Sequence, residues 1–410
     1  MPPQYQRPLP SKQTILTRYG GWLPAKPEVY EAFFDDLLRT YDPKRPGAHV
    51  PAVQEFEDAI ISSSKIGLLN LFENAFIQSA PENRIRDFQQ LLHCMDKIVV
   101  AAPKFQVSRN EQGGITSGEP IGVPLYLLLD LLSNTAAGYD LFRNTRFNDA
   151  LKALLDSWGK YLQSSKSNNT LSNSDEGWFS KLGLETLDNG RGIFNDIYEC
   201  PDETAPQSDL PNFFIYNACE STVFHKATGV KEHDQFWLKG QPYSIYDMLA
   251  TMQNDRVAQS FIGGTVYQAF LSPYDYHRWH SPVNGTIREI QIIPGTYYAA
   301  LPDEGAEKSD PDFQPGDPRA ATRAIIYIDA DNEDVGCVVF IGAGMVEVST
   351  CQVTVKVGGG VKVGDELGMF HFGGSTHALI FGPDVKLKFF DYVQPNEHLH
   401  VNIPLAAVEI

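Results

Sequence analysis

The amino-acid sequence predicts an α+β chain with segregated halves, a helical N-terminal domain followed by a β-rich barrel or sandwich. Three observations predict it. Apolar residues recur at intervals of three and four from about Pro27 to Trp158, the period of amphipathic helices. After Asn212 they alternate with polar residues, the period of half-buried strands. At 410 residues the chain is too long for one ordinary core.

The helical elements follow from their faces. Val29, Phe33, Leu37 and Tyr41 form one stripe, and Phe88, Leu91, Met95 and Ile98 a second. Leu125, Leu128 and Leu132 form a third, and Phe147, Leu151, Leu154 and Trp158 a fourth. Pro- and Gly-rich stretches such as "GGITSGEPIG" read as the loops between them. "LQSSKSNNTLSNSDEG", residues 162–177, is polar and turn-rich and reads as an exposed linker. A further helical stretch runs to about Tyr198, and "CPDETAPQSDLP" marks a boundary. The strands follow as "TVYQAFLS", "TIREIQII", "RAIIYIDA", "CVVFIG", "VEVSTCQVTVKV", "VKLKFF" and "LHVNIPLAAVEI". The expected organisation is a disordered tail over 1–26, a helical domain over 27–205 and a β-rich domain over 206–410.

Composition narrows the function. Hydrophobic content of 42% and charged content of 20% are those of a soluble globular protein. The longest apolar runs fall short of a membrane span, so no stable insertion is expected. The opening "MPPQYQRPLPSKQTILTRYGGW" has no apolar core of a secretory signal. The expected location is the cytoplasm, with a mitochondrial one left open by that basic, acid-free start. Five cysteines without a CxxC pair fit a reducing compartment and no zinc ribbon. A net charge of −18 argues against nucleic acid and anionic lipid as partners, because both are polyanions and no basic patch offsets the repulsion. No GxGxxG or Walker loop opens a helix, so nucleotide binding has no support.

Two stretches carry residue types suited to chemistry. In "GMFHFGGSTHALIF", Gly368 to Phe381, two glycines and two hydroxyls interrupt strand-like sequence. Such a stretch fits a tight turn. It also fits a peptide bond open to attack, since Gly373 and Gly374 leave the Gly374 carbonyl accessible to the Ser375 hydroxyl. "LSPYDYHRWHSPVNG", Leu271 to Gly285, carries His277 and His280, the side-chain type best suited to proton transfer near neutral pH. Each equally fits a turn cap or an aromatic pocket. No metal site is expected, because HxxH here lacks HExxH, and His398 and His400 read as a solvated strand edge. His371 and His377 flank the serine as strand alternation alone would place them, and His49 and His93 read as surface or packing residues. The GxSxG elbow is absent, which argues against a conventional serine hydrolase.

Together the two stretches resemble the phosphatidylserine decarboxylase family of pyruvoyl enzymes. "YHRWHSPVNG" is similar to its YHR-aromatic-HSP block, and "GDELGMFHFGGST" to its glycine-serine cleavage block. "PGTYYAALP" and "VFIGAGMVEVSTC" lie between them in family order, and the likeness covers about residues 212–410. Within the family the sequence most resembles soluble fungal members that decarboxylate L-tryptophan.

The resemblance implies self-cleavage between Gly374 and Ser375, with the Ser375 hydroxyl as nucleophile and His280 as its base. It implies a covalent pyruvoyl cofactor derived from Ser375, a Schiff base with the substrate amine, and His277 as the donor that returns a proton. The cleaved α and β chains would stay partners of one another. Thr376 would tune the turn. The family's orienting Asp has no counterpart, for Cys219 stands at its place in "IYNACEST". Glu220 is the expected replacement carboxylate and Asp275 the second candidate. The family's FFxR block is missing, and the stretch from Pro302 to Arg323 is short. Trp279, Tyr297, Tyr298 and Phe372 are expected to line an apolar substrate pocket, and each also suits core packing. Three functions are therefore weighed: decarboxylation of a small, aromatic amino acid; decarboxylation of phosphatidylserine to phosphatidylethanolamine; and an uncleaved homologue without catalysis.

Overall fold

The computed structural model describes residue 24 and residues 26–44, 47–63, 67–190, 213–231, 236–238, 241–252, 255–271, 275–295, 322–344, 350–371 and 375–409. These fall into two compact units, residues up to Leu184 and residues from Glu185 onward. The expected tail lies almost wholly outside the described residues.

The first unit is mainly helical, with helices Pro27–Leu38, Pro51–Ser62, Leu68–Gln78, Phe88–Ile98, Pro124–Ser133, Ala136–Arg143 and Thr145–Leu162. Three begin with proline at the first turn, where a missing N–H costs nothing. Asp87, Thr135 and Asn144 cap three others through their side chains. The anticipated stripes are buried, with Phe88, Leu91, Met95 and Ile98 on one helix and Phe147, Leu151, Leu154 and Trp158 on another. Tyr41 lies past its helix and packs edge-on against His93. His49 bonds Asp96 through Nδ1 at 2.7 Å.

The stretch expected as a loop around "GGITSGEPIG" instead supplies a strand. β1 (Phe105–Arg109) and β2 (Ile115–Pro120) form an antiparallel hairpin, turned by Gly113 at φ +81°. Hydroxyls hold it, with Ser108 Oγ 2.7 Å from Thr116 Oγ1 and 2.9 Å from Ser117 Oγ. The polar linker folds into a short 3₁₀ helix, Ser165–Thr170.

The second unit is β-rich. Its strands are β3 (Phe214–Tyr216), β4 (Ser221–Thr228), β5 (Phe236–Leu238), β6 (Gln241–Tyr243), β7 (Thr265–Leu271), β8 (Arg278–His280), β9 (Gly285–Ile293), β10 (Arg323–Ala330) and β11 (Cys337–Gly344). They continue with β12 (Thr350–Val353), β13 (Gly360–Val361), β14 (Glu366–His371), β15 (Ser375–Phe381), β16 (Leu387–Phe389), β17 (His398–Leu399) and β18 (Pro404–Val408). Eight form one antiparallel sheet in the order β13-β9-β10-β11-β15-β7-β4-β17. β12-β14-β8 and β16-β18-β3 form three-stranded sheets, and β5-β6 a pair. Among the described residues the large sheet does not close on itself, so the barrel alternative gives way to stacked open sheets.

Both faces of the large sheet are covered, as alternation requires. One face presents Val266, Ile325, Tyr327, Ile341 and Ile380 to the short helices Ile245–Met248 and Arg256–Gln259. Arg323 is wholly buried there, its Nε donating to the Met248 carbonyl at 3.1 Å and closing the end of the first of these helices. The other face carries Tyr267, Phe340 and His377, and against it pack Trp279 and Phe370 of the β12-β14-β8 sheet and Phe389 of β16.

Candidate active site

Two ladders bring the histidine segment to the glycine-serine segment. β15 pairs with β7, and Ser375 stands opposite Leu271 at the end of that ladder. β14 pairs with β8, placing Trp279 opposite Gly368 and Arg278 opposite Met369. The residues that flank the two links are therefore paired with one another, Leu271 with Ser375 and Arg278 with Met369. A further bond extends the second ladder, from Phe370 N to the His277 carbonyl at 3.0 Å. Between His371 and Ser375 the chain passes from the small sheet to the large one within three residues. On its other side Ser375 pairs with Gly344.

His280 is held in one neutral tautomer. Its Nδ1 lies 2.7 Å from the Gly364 carbonyl. A carbonyl only accepts, so Nδ1 carries the hydrogen and Nε2 keeps a lone pair. That nitrogen is 3.2 Å from the Tyr276 hydroxyl, which donates to it. His280 is 3% exposed, and burial holds its pKa below the ordinary histidine value against the opposing pull of the Gly364 carbonyl. The side chain is a neutral base at neutral pH.

The turn that orients it is legible in chemistry. Asp365 N bonds the Lys362 carbonyl at 3.0 Å, and Asp365 Oδ2 accepts from Lys362 N at 2.7 Å. Gly364 occupies the turn at φ +84°, a conformation that favours glycine. Gly364 N and Ser281 N exchange bonds with the Ser281 and Asp365 carbonyls, pinning the turn beside His280. A backbone carbonyl thus does the orienting that a carboxylate was expected to do.

Glu220 sits elsewhere. It is 1% exposed, and Oε2 accepts from Tyr276 N at 3.0 Å. Its effect on His280 runs through the placement of Tyr276. Asp275 is also buried, with Oδ1 3.3 Å from His398 Nε2, and Glu220 Oε1 lies at the same 3.3 Å. Burial disfavours charge on His398, but Asp275 and Glu220 outweigh it and lift the imidazole to about 9. His398 does stand on the edge strand of the large sheet, as read, but that edge is not solvated here, because two carboxylates enclose the imidazole.

Trp279 is 0% exposed. Its ring centroid is 4.8 Å from that of Phe370 and 5.3 Å from that of Phe340, between two sheets. Expected to line a pocket, it is instead core. Thr376 is buried too, its hydroxyl donating to the Ala269 carbonyl at 2.8 Å. Half-buried His277 lies 6.4 Å from Phe370, ring to ring. Gly374, Phe372, Tyr297 and Tyr298 lie outside the described residues, as does the side chain of Ser375.

His377 was read as alternation only, yet it is chemically unusual. It is fully buried between Tyr267 and Phe340, and neither ring nitrogen has a hydrogen-bond partner among the described residues. Burial lowers its pKa to about 3. An unfolded histidine titrates near 6.5, so as pH falls from about 6.5 to about 3 the unfolded chain gains a proton that the fold refuses. Stability falls with pH over that window. His377→Leu is expected to move the midpoint of acid unfolding, followed by circular dichroism, to lower pH than in the wild type.

The contacts that the sequence did not reveal are those of Tyr276 and the Gly364 carbonyl with His280, and of His398 with Glu220 and Asp275. Tyr276 stood inside the quoted histidine block, and "VGD" signalled a turn, but neither revealed what it faces. Comparison with known proteins gives the wider setting. A family model described as phosphatidylserine decarboxylase matches residues 50–187, and a second of the same description matches residues 201–407. The chain belongs to the phosphatidylserine decarboxylase family. Decarboxylase iboD of Amanita muscaria is 46% identical over 349 residues, which cover 77% of this chain and 99% of that protein. The L-tryptophan decarboxylase of Psilocybe cubensis is 32% identical over an alignment of 442 residues, covering 96% of this chain and 95% of that protein. The phosphatidylserine decarboxylase proenzyme 3 of Schizosaccharomyces pombe is 33% identical over 177 residues, covering 43% of this chain and 17% of that protein.

Proposed function

We propose that this chain is a self-processing decarboxylase that cuts its own Gly374–Ser375 bond and removes CO₂ from a free amino acid, with tryptophan-like aromatic side chains as the first candidates. The observation that supports the reading is the pair of ladders that joins β8 to β14 and β7 to β15, the strands that flank the histidine segment and the glycine-serine link. His280 in that segment is a neutral base with an accepting Nε2.

In this reading Ser375 Oγ adds to the Gly374 carbonyl carbon while His280 Nε2 takes the hydroxyl proton. His280 passes that proton to the nitrogen of residue 375 as the C–N bond breaks, and the amide becomes an ester. Loss of the Cα proton of residue 375 expels the Gly374 carboxylate and leaves dehydroalanine. Its imine tautomer takes up water and releases ammonia, leaving a pyruvoyl group at the new N-terminus. Two glycines before Ser375, a neutral imidazole and a strand that anchors the residues after it fit that origin. The group supplies a ketone that draws electrons from the substrate carbon as CO₂ departs. His277 holds the proton for return to that carbon, and the Phe370 N–H fixes the backbone that carries it.

Support for a free amino acid comes from coverage and charge. The L-tryptophan decarboxylase matches along nearly its whole length, whereas the lipid enzyme matches over 17% of its own. A net charge of −18 disfavours approach to anionic lipid. No helix among the described residues is long and apolar enough to cross a membrane.

The test is to incubate the purified protein with tryptophan, other free amino acids and phosphatidylserine vesicles, and to follow amine products by mass spectrometry. An amine from a free amino acid, with two chains on a gel, is the expected result. Turnover of phosphatidylserine alone replaces this reading with the lipid one. An unsplit chain without turnover of any substrate leaves a non-catalytic homologue.

A further inference from the structure

We propose that Glu220, Asp275 and His398 form a site for one divalent first-row cation, Zn²⁺ or Mn²⁺, that fastens the histidine segment to the edge of the large sheet. The three residues come from separate parts of the fold. Glu220 precedes β4, His398 opens β17, and Asp275 lies in the link between β7 and β8. β17 is held to β4 with His398 opposite Thr222, so the ladder fixes two of the three.

Each residue offers one ligand atom, and all three atoms lie within 4.8 Å of one another. His398 Nε2 is 3.3 Å from both Glu220 Oε1 and Asp275 Oδ1. A charge-assisted hydrogen bond between such groups shortens to about 2.7–2.9 Å. Donor atoms at roughly 2.0–2.1 Å from a tetrahedral metal are instead about 3.3–3.4 Å apart. The observed spacing is that of neighbours around an ion.

A second observation points the same way. Glu220 is 1% exposed, and its Oε1 is buried and aimed into the cluster, where it meets His398 Nε2 as a 3.3 Å ion pair without an aligned hydrogen bond among the described residues. His398 Nε2 is likewise buried, and neither carboxylate gives it an aligned hydrogen bond among the described residues. Contacts this long and poorly aligned satisfy buried polar atoms weakly, and coordination satisfies both. Charge agrees, since a proton on His398 offsets one of the two carboxylates whereas a divalent cation on a neutral imidazole offsets both. Two carboxylates and one imidazole are a donor set for zinc or manganese. The side chains of Glu220 and Asp275 are 2% and 0% exposed and that of His398 is 17%, so an ion enters past His398.

The ion would act as a positioning element. Asp275 immediately precedes Tyr276, whose N–H is already held by Glu220 Oε2 and whose hydroxyl meets His280. The proposal does not depend on self-cleavage or on any substrate.

The test is elemental analysis of the purified full-length chain, split or unsplit. Metal is then stripped with chelator and titrated back as Zn²⁺ or Mn²⁺ in calorimetry and thermal-shift experiments. About one equivalent bound, with a rise in melting temperature, is expected. His398→Ala and Asp275→Asn should each weaken binding by more than the roughly 10- to 100-fold that loss of an outer partner costs. His400→Ala should retain it. Wild-type protein that carries no metal and shows neither heat nor shift with either ion overturns the proposal. So does undiminished affinity in both His398→Ala and Asp275→Asn. In either event the three residues are an ion pair around a protonated histidine.

Discussion

His280→Ala is expected to leave the purified chain as one full-length polypeptide under conditions in which the wild type splits at Gly374–Ser375. Removal of a positioned base typically slows a proton-coupled step by roughly 10²- to 10⁴-fold. Ser375→Ala, which removes the nucleophile, should abolish splitting altogether. Time courses on denaturing gels with intact-mass analysis measure both. The buried state of His280 adds a sign to the pH dependence. Its pKa lies below the usual histidine value, so the base stays neutral and competent down to the usual titration range near pH 6.5. The rate of splitting should therefore hold between about pH 8 and 6.5 and fall only under more acidic conditions. Gly364→Val tests the orienting carbonyl without touching the imidazole. The left-handed backbone at φ +84° is poorly open to a β-branched residue, and the carbonyl that holds Nδ1 would swing away. Slow splitting in that variant, with His280 intact, supports orientation by the turn. A His280→Ala protein that matures at the wild-type rate removes His280 from the mechanism.

Much of the architecture was open to reading because it is local. The stripes of Phe88 to Ile98 and Phe147 to Trp158 follow from a helical period over three turns, and tertiary packing only confirms them. The strands from Thr265 onward follow from alternation in the same way. The hairpin over 105–120 escaped because Ser117, Gly118, Glu119 and Pro120 of β2 are weak strand formers, and the pair is held by hydroxyl bonds across the ladder. The order of the large sheet was not legible, since it pairs β4 with β17 and β15 with β7 across long stretches of chain. The same limit applies at the site. His277, His280 and Ser375 carried signals in their types and neighbours. The partner of His280 is a main-chain carbonyl, which every residue has, so no side chain announced it. The cluster of Glu220, Asp275 and His398 is assembled by a ladder and a loop from three distant segments, and none of the three looks unusual in its own surroundings.

Trp279→Ala is the substitution expected to cost the fold most, by about 3–5 kcal/mol, the range for truncating a buried large aromatic. Trp279 is fully buried between the β12-β14-β8 sheet and the large sheet, and glycines make room for it on both sides. A Cβ at Gly368 would stand 2.8 Å from the indole and 2.4 Å from the Gln352 carbonyl, and one at Gly342 would stand 3.0 Å from the ring. Gly368→Ala should thus destabilise as well, by overpacking at a point where backbone cannot retreat. Denaturant unfolding of each variant measures the losses. Trp279→Phe should recover part of the first, because a smaller ring still meets Phe340 and Phe370. The consequence extends to the site, since Trp279 pairs with Gly368 directly before His280 in the ladder that joins β8 to β14. Splitting should therefore slow in Trp279→Ala and recover in Trp279→Phe, in step with stability. If Trp279→Ala unfolds at the wild-type denaturant midpoint, the ring is not what joins the two sheets, and the rigid placement of His280 has to come from the Gly364 turn alone.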